Sequence, residues 1–180
     1  MSTVVNLPTL ITISRILLVP AFILVAEEKP LLGVAIFSIA SASDILDGYL
    51  ARKRKEVTNV GILLDPIADK LLVISALILL VDINLAPAWI AIIIIVREFL
   101  VTGLRLIALS RDIVISAEIG GKVKMAMQIA SIIILFMSHS PLFSDFIINL
   151  KFTGTICLWI AMLIGLASGF HYFVLFYKKI

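Results

Sequence analysis

The sequence predicts an all-α fold, an integral membrane bundle of six transmembrane helices. Three observations lead there. Of 180 residues, 62% are hydrophobic and 15% charged, with a mean hydropathy of +1.18. A soluble domain runs at roughly 45–50% apolar and about 25% charged. A chain this short leaves too much surface to hide the excess from solvent, so part of that solvent is lipid. The apolar residues also fall into six runs near the ~20 residues that cross a ~30 Å hydrocarbon core as a helix. Finally, lysine and arginine collect on one side of the resulting topology.

The first run is Pro8–Ala26. It reads as a retained helix and not a secretory signal: no basic region precedes it, Arg15 interrupts it, and no small-x-small site stands before Glu27. Glu27-Glu28-Lys29-Pro30 breaks the chain before Leu31–Leu50, and the basic stretch Arg52–Glu56 separates that run from Leu64–Ile83. Asn84 to Pro87 is a turn signal, followed by Pro87–Leu109. Ser110–Gly121 leads into Lys122–His139, and Ser138 to Asn149, with Pro141, into Phe152–Phe176. With no internal repeat or low-complexity tract, residues 1–180 read as a single domain.

Six spans put the N-terminus, the second and fourth loops and the C-terminus on one side. Ten cations lie there: Arg52, Lys53, Arg54, Lys55, Arg105, Arg111, Lys122, Lys124, Lys178 and Lys179. The opposite loops hold Lys29 and Lys151. The bias predicts a multi-pass protein of the inner (plasma) membrane with both termini cytoplasmic. Composition excludes disorder, and continuous rather than alternating runs argue against a β-barrel. Cys157 has no intramolecular cysteine partner. The net charge of +3 fits membrane-flanking loops and not nucleic acid, since no RNA-binding or zinc-finger motif accompanies it.

Chemistry concentrates where the second run ends and the third begins. Asp44 and Asp47 are three apart, Asp65 and Asp69 four apart, so each pair shares a helix face. A short basic loop makes the two helices antiparallel neighbours, and their acidic faces converge at the cytoplasmic boundary, which predicts an active site on that side. One Asp at mid-bilayer costs about 2.5–3.5 kcal/mol, and four approach ~10 kcal/mol. Lys70 and Arg52 neutralise two of them, whereas two divalent ions supply four charges. Oxygen-only ligands suit Mg²⁺ or Mn²⁺. The structural alternative is a network of acids paired with neighbouring bases. Gly48 lets a ligand approach the backbone; Gly61 serves either that site or helix packing.

The run Asp44-x2-Asp47-Gly48-x2-Ala51-Arg52-x8-Gly61-x3-Asp65-x3-Asp69 resembles the signature of the CDP-alcohol phosphotransferases, with eight fixed positions at matching spacing. Asn6-Leu7-Pro8-Thr9-Leu10-Ile11-Thr12 with Arg15 is similar to the family's N-terminal stretch. Arg97-Glu98-Phe99-Leu100-Val101-Thr102-Gly103-Leu104-Arg105 and Gly121-Lys122-Val123-Lys124 resemble its phosphatidylglycerophosphate-forming branch, with Met125 where that branch often carries Thr. The resemblance implies transfer of a phosphatidyl group from CDP-diacylglycerol to the 1-hydroxyl of glycerol 3-phosphate, releasing CMP. It implies two bound metal ions, shared by Asp44 and Asp65 and completed by Asp47 and Asp69, with Asp69 as general base. Gly48, Arg52 and Thr58 would contact the CDP moiety beneath Asn6, Pro8 and Thr9. It further implies a homodimer.

A phosphorylated acceptor needs fixed positive charge. Arg97, Arg105, Arg111, Lys122 and Lys124 lie near the cytoplasmic ends of the fourth and fifth runs. Arg105 leads, because a guanidinium fork matches phosphate oxygens. Lys122, Lys124 and Arg111 equally suit a topology signal facing headgroups, and Arg97 a buried ion pair with Glu98 or Asp82. Trp89 and Trp159 fit interfacial anchors. Phe170, Tyr172, Phe173, Phe176 and Tyr177 read as an outward aromatic belt, and His139 and His171 belong to no ligand cluster. Within the family, inositol phosphate, serine or phosphatidylglycerol are alternative acceptors. A divalent-cation transporter is a reading from another class, against which stand the one-sided acids and the missing inverted repeat.

Overall fold

A computed structural model describes the backbone of residues 7–54, 59–111 and 119–179, with side chains described for 14, 16–43, 70–108, 110–111 and 120–178. Among these residues the chain is entirely helical: α1 (Leu7–Ala26), α2 (Pro30–Arg54), α3 (Asn59–Asp82), α4 (Ala88–Ser110), α5 (Ile119–Ser138), a 3₁₀ segment Pro141–Phe146, and α6 (Ile147–Lys179). Each expected helix is present, with ends shifted by a few residues. The largest shifts are at the starts of α3, at Asn59, and α6, at Ile147. Half of the expected loop before α6 is the 3₁₀ segment, with Ser140 at its N-cap accepting from the Leu142 N–H and Pro141 in its first turn. Pro fits there because a first-turn N–H has no partner to lose.

Local chemistry explains the turns. The α1–α2 connection closes through Lys29 N–H to the Val25 carbonyl (2.8 Å) and Gly33 N–H to the Lys29 carbonyl (3.0 Å). Gly33 allows this tightness: a Cβ there would lie 2.6 Å from the Ala26 Cβ. At the end of α3, Asn84 takes a left-handed φ of 58°. The Asn84 N–H donates to the Val81 carbonyl (3.1 Å) and the Leu85 N–H to the Leu80 carbonyl (2.8 Å). This is a Schellman stop, with Asn filling the position most often held by Gly.

Packing is up-and-down around one core. Phe22, Phe37 and Phe136 are fully buried, with Phe22 centroid distances of 5.8 Å to Phe37 and 5.5 Å to Phe136, tying α1, α2 and α5 together. Leu72, Leu77 and Leu80 of α3, Ile90 of α4, Ile132 and Leu135 of α5 and Leu158 of α6 complete it. The longest interface runs between α5 and α6, where the Ser131 hydroxyl donates to the Gly154 carbonyl at 2.7 Å. At one end, Lys151 Nζ donates to the Asn84 carbonyl (3.3 Å), and Trp89 meets Trp159 edge-to-face at 4.9 Å. The other end gathers the start of α3, the end of α4, the start of α5 and the end of α6.

The exterior is apolar. Leu24, Ile39, Ile92, Leu100, Ile148, Phe152 and Phe170 are all exposed, a surface suited to lipid and not to water. Among the described residues, Gly120–Ser138 and Pro141–Lys178 are long and apolar enough to cross a membrane by length and composition. Shorter apolar stretches, Ile16–Ala26 and Pro30–Ser43, lie in α1 and α2. In α4 the charges Arg97, Glu98 and Arg105 interrupt the apolar run.

Candidate active site

At the end of the bundle opposite the tryptophan pair lies a cavity of about 260 Å³, lined from α3, α4, α5 and α6. Among the described residues its charged lining is Lys70, Arg97, Glu98, Arg105, Lys122 and Lys124, five cations and one carboxylate. Val73, Leu77, Ile94 and Ile129 line it further along the same helices. The cavity therefore grades from a cationic mouth to an apolar floor. Low-dielectric walls focus the field of these clustered cations, which favours a small anion.

One carboxylate organises the cations. Glu98 Oε1 accepts from Arg97 Nη1 at 2.8 Å and from Lys124 Nζ at 2.5 Å, with all three side chains largely shielded from solvent. Arg97 also donates from Nε to the Gly165 carbonyl (2.8 Å) and from Nη2 to the Ser168 hydroxyl (2.7 Å). Two α6 glycines lie against these side chains. A Cβ on Gly169 would sit 3.4 Å from Arg97 Nε, and one on Gly165 would sit 3.5 Å from Lys124 Cγ. Arg105 is exposed, its guanidinium carbon 5.7 Å from the centroid of the Tyr172 ring. That face-on contact orients a guanidinium and leaves its fork available.

Of the acceptor-side candidates, the structure brings Arg97, Arg105, Lys122 and Lys124 together on this cavity. Arg111 lies apart, exposed in the turn after α4. Lys124 is 5% exposed and so does not face headgroups; Arg97 has the Glu98 pairing, and Asp82 is not its partner. Tyr172 corrects the aromatic belt: Phe170, Phe173 and Tyr177 are exposed, but Tyr172 and Phe176 are buried and turn inward. Glu98 as an organiser, Ser168 and Gln128 were not singled out by sequence. Gln128 had a usable signal, since it follows Lys124 by four residues and so shares its face.

The acidic motif adjoins the cavity through the backbone. Asp44, Asp47, Gly48 and Arg52 lie in the last half of α2, and Asp65 and Asp69 in the first half of α3, so that Asp69 immediately precedes the cavity-lining Lys70. α2 and α3 contact one another. Pro8 and Thr9 lie in the first turn of α1, which packs on both. Asn6 and Thr58 lie outside the described residues. Carboxylate oxygens are the donors that hard divalent cations take.

The sequence profile of the CDP-alcohol phosphatidyltransferase family matches residues 5–167. The chain belongs to this family. CDP-alcohol phosphatidyltransferases generally use divalent metal ions, in keeping with that donor set. Among relatives, a Bacillus subtilis protein named CDP-diacylglycerol–glycerol-3-phosphate 3-phosphatidyltransferase is 42% identical over 184 residues, covering 93% of each chain. A Rickettsia bellii protein of the same name is 38% identical over 175 residues, again covering 93% of each. One from Haemophilus influenzae is 46% identical over 107 residues, covering 56% of this chain and 57% of its own. This CDP-alcohol phosphatidyltransferase is thus an enzyme of phospholipid biosynthesis, and its all-helical, apolar-surfaced bundle is that of a membrane protein.

Proposed function

We infer that this chain transfers the phosphatidyl group of CDP-diacylglycerol to glycerol 3-phosphate, giving phosphatidylglycerophosphate and CMP. The observation that carries the choice of acceptor is the cavity whose described lining sets five cationic side chains beside one carboxylate. A dianionic phosphate suits it; a zwitterion such as serine does not call for it. Arg105, Lys122 and Lys124 hold the acceptor phosphate. Arg97, with three of its N–H groups already engaged, contributes charge and fixes Glu98. Arg111 supplies positive potential at the rim.

Asp44, Asp47, Asp65 and Asp69 would hold two divalent cations, Mg²⁺ or Mn²⁺, with Asp44 and Asp65 common to both. Such ions neutralise a pyrophosphate and the charge that grows on the departing CMP. Gly48, Arg52 and Thr58 take the CDP moiety, with Asn6, Pro8 and Thr9 closing over it. The oxygen of the acceptor's 1-hydroxyl attacks the phosphorus bearing diacylglycerol, the bond from that phosphorus to the CMP oxygen breaks, and Asp69 receives the proton. A carboxylate is a weak base for an alcohol, so the proton leaves late. Six spans with both termini and the site in the cytoplasm of the inner membrane, a single domain and a homodimeric assembly complete the reading. The cation bias of the loops supports the orientation.

The test is CMP release by the purified protein with Mg²⁺ and CDP-diacylglycerol, offering glycerol 3-phosphate, serine, inositol phosphate and phosphatidylglycerol separately. Release with glycerol 3-phosphate alone is expected. Release with serine or phosphatidylglycerol alone would overturn the argument from the cationic cavity, and release with inositol phosphate alone would replace the acceptor.

A further inference from the structure

Gln128 is 2% exposed and lines the cavity. Its Nε2 has no hydrogen-bond partner among the described residues. Native structures almost always satisfy a buried amide N–H, so an orphan of this kind calls for an explanation. The described cavity lining includes the apolar Leu77, Ile94 and Ile129. Lys124 lies four residues earlier on the same face of α5, one turn or about 6 Å along the axis. The amide therefore stands one turn inward of a cation, at the boundary between the charged and apolar parts of the cavity.

We propose that Gln128 Nε2 donates a hydrogen bond to the secondary hydroxyl of the acceptor, and so selects a phosphorylated polyol over a phosphorylated simple alcohol. The inference rests on the reading of the acceptor site above and deepens it. In glycerol 3-phosphate the secondary hydroxyl lies between the phosphate and the reacting hydroxyl. With the phosphate at Lys124 and Arg105 and the reacting hydroxyl extending toward α3, the secondary hydroxyl between them is the group left for Gln128. The cations alone secure any alkyl phosphate; the amide reads what the alkyl chain carries.

The experiment compares kcat/KM for glycerol 3-phosphate and 3-hydroxypropyl phosphate, which keeps the phosphate and the primary hydroxyl but lacks the secondary one. Both are measured by CMP release, in the wild type and in Gln128→Met. The wild type is expected to prefer glycerol 3-phosphate by about 10- to 100-fold, the range for a hydrogen bond made in a desolvated site. Gln128→Met should lose most of that preference by slowing glycerol 3-phosphate while leaving 3-hydroxypropyl phosphate within about twofold. Equal use of both alcohols by the wild type overturns the proposal. So does an equal loss for both in the variant, the result expected if a cavity water alone satisfies the amide. Should the variant not fold, the wild-type pair of values decides alone. Wild-type turnover with neither alcohol refutes the acceptor reading itself, an outcome distinct from equal turnover of both.

Discussion

Glu98 is the pivot of the cationic cavity, and its removal gives the sharpest test of how that cavity is held together. Glu98→Gln keeps volume and one acceptor oxygen but deletes the negative charge. Arg97 retains its bonds to Gly165 and Ser168. Lys124, 5% exposed with its Nζ 2.5 Å from Glu98 Oε1, takes most of the damage. A hydrogen bond to a charged group contributes about 1.5–3 kcal/mol, and breaking a buried pair from one side costs about 3–5 kcal/mol. With one weaker bond surviving, a loss of about 3 kcal/mol is expected. In a Lys124→Met background the same change should cost only about 1 kcal/mol, leaving a coupling of about 2 kcal/mol. Thermal or denaturant unfolding of the detergent-solubilised protein, run on both single variants and the double, reads this directly. Additivity within about 0.5 kcal/mol would refute the view that Glu98 organises Lys124.

Three further outcomes follow from the same structure. Asp69→Asn should abolish CMP release while circular dichroism shows unchanged helical content; retained turnover would remove Asp69 from the chemistry. Arg105→Ala should raise the KM for glycerol 3-phosphate more than tenfold with little change for an unphosphorylated acceptor, since a charge-assisted phosphate contact contributes about 1.5–3 kcal/mol. Equal losses for both acceptors would count against a phosphate contact. Gly33→Ala, with its Cβ 2.6 Å from that of Ala26, should destabilise the protein by about 1–3 kcal/mol through overpacking. An unchanged unfolding midpoint would mean the α1–α2 corner yields freely.

The helices were legible because long continuous apolar runs, punctuated by Pro30, Asn84, Pro87 and Pro141, have few other readings. Asn84 was recognisable as a stop but not as a left-handed residue closing two hydrogen bonds. The start of α6 was placed late because Pro141, Asn149 and Lys151 read as loop signals, whereas helix resumes at Ile147 straight after the 3₁₀ turn. In the site, the acids and cations were visible as charges with no reason to be in lipid. What linear sequence withheld was their pairing. Arg97 and Lys124 meet at Glu98 only because α4 and α5 converge on Gly165 and Gly169, 68 and 72 residues beyond Arg97. Tyr172 was misread as an outward aromatic for the same reason: its neighbour Phe173 is exposed, and only packing separates the two. For Gln128 the spacing from Lys124 gives the face, but that its amide lacks a partner among the described residues had to be seen.

The length of α6 has one more implication. Lys151 and Lys178 are 27 residues apart, about 40 Å along a helix axis, close to the thickness of a bilayer with its headgroups. If those two ammonium groups ride at opposite interfaces, Tyr172, Ser168 and Gly165 lie about 9, 15 and 20 Å beneath the nearer one. The acceptor phosphate then descends below the plane of the surrounding lipid phosphates to reach its cations. The helix thereby acts as a depth gauge, and bilayers of different thickness would offer the donor's diphosphate to that sunken pocket at different heights. Turnover in vesicles of graded acyl length should accordingly pass through a maximum where the hydrocarbon matches α6, an effect of mismatch and not of chain chemistry.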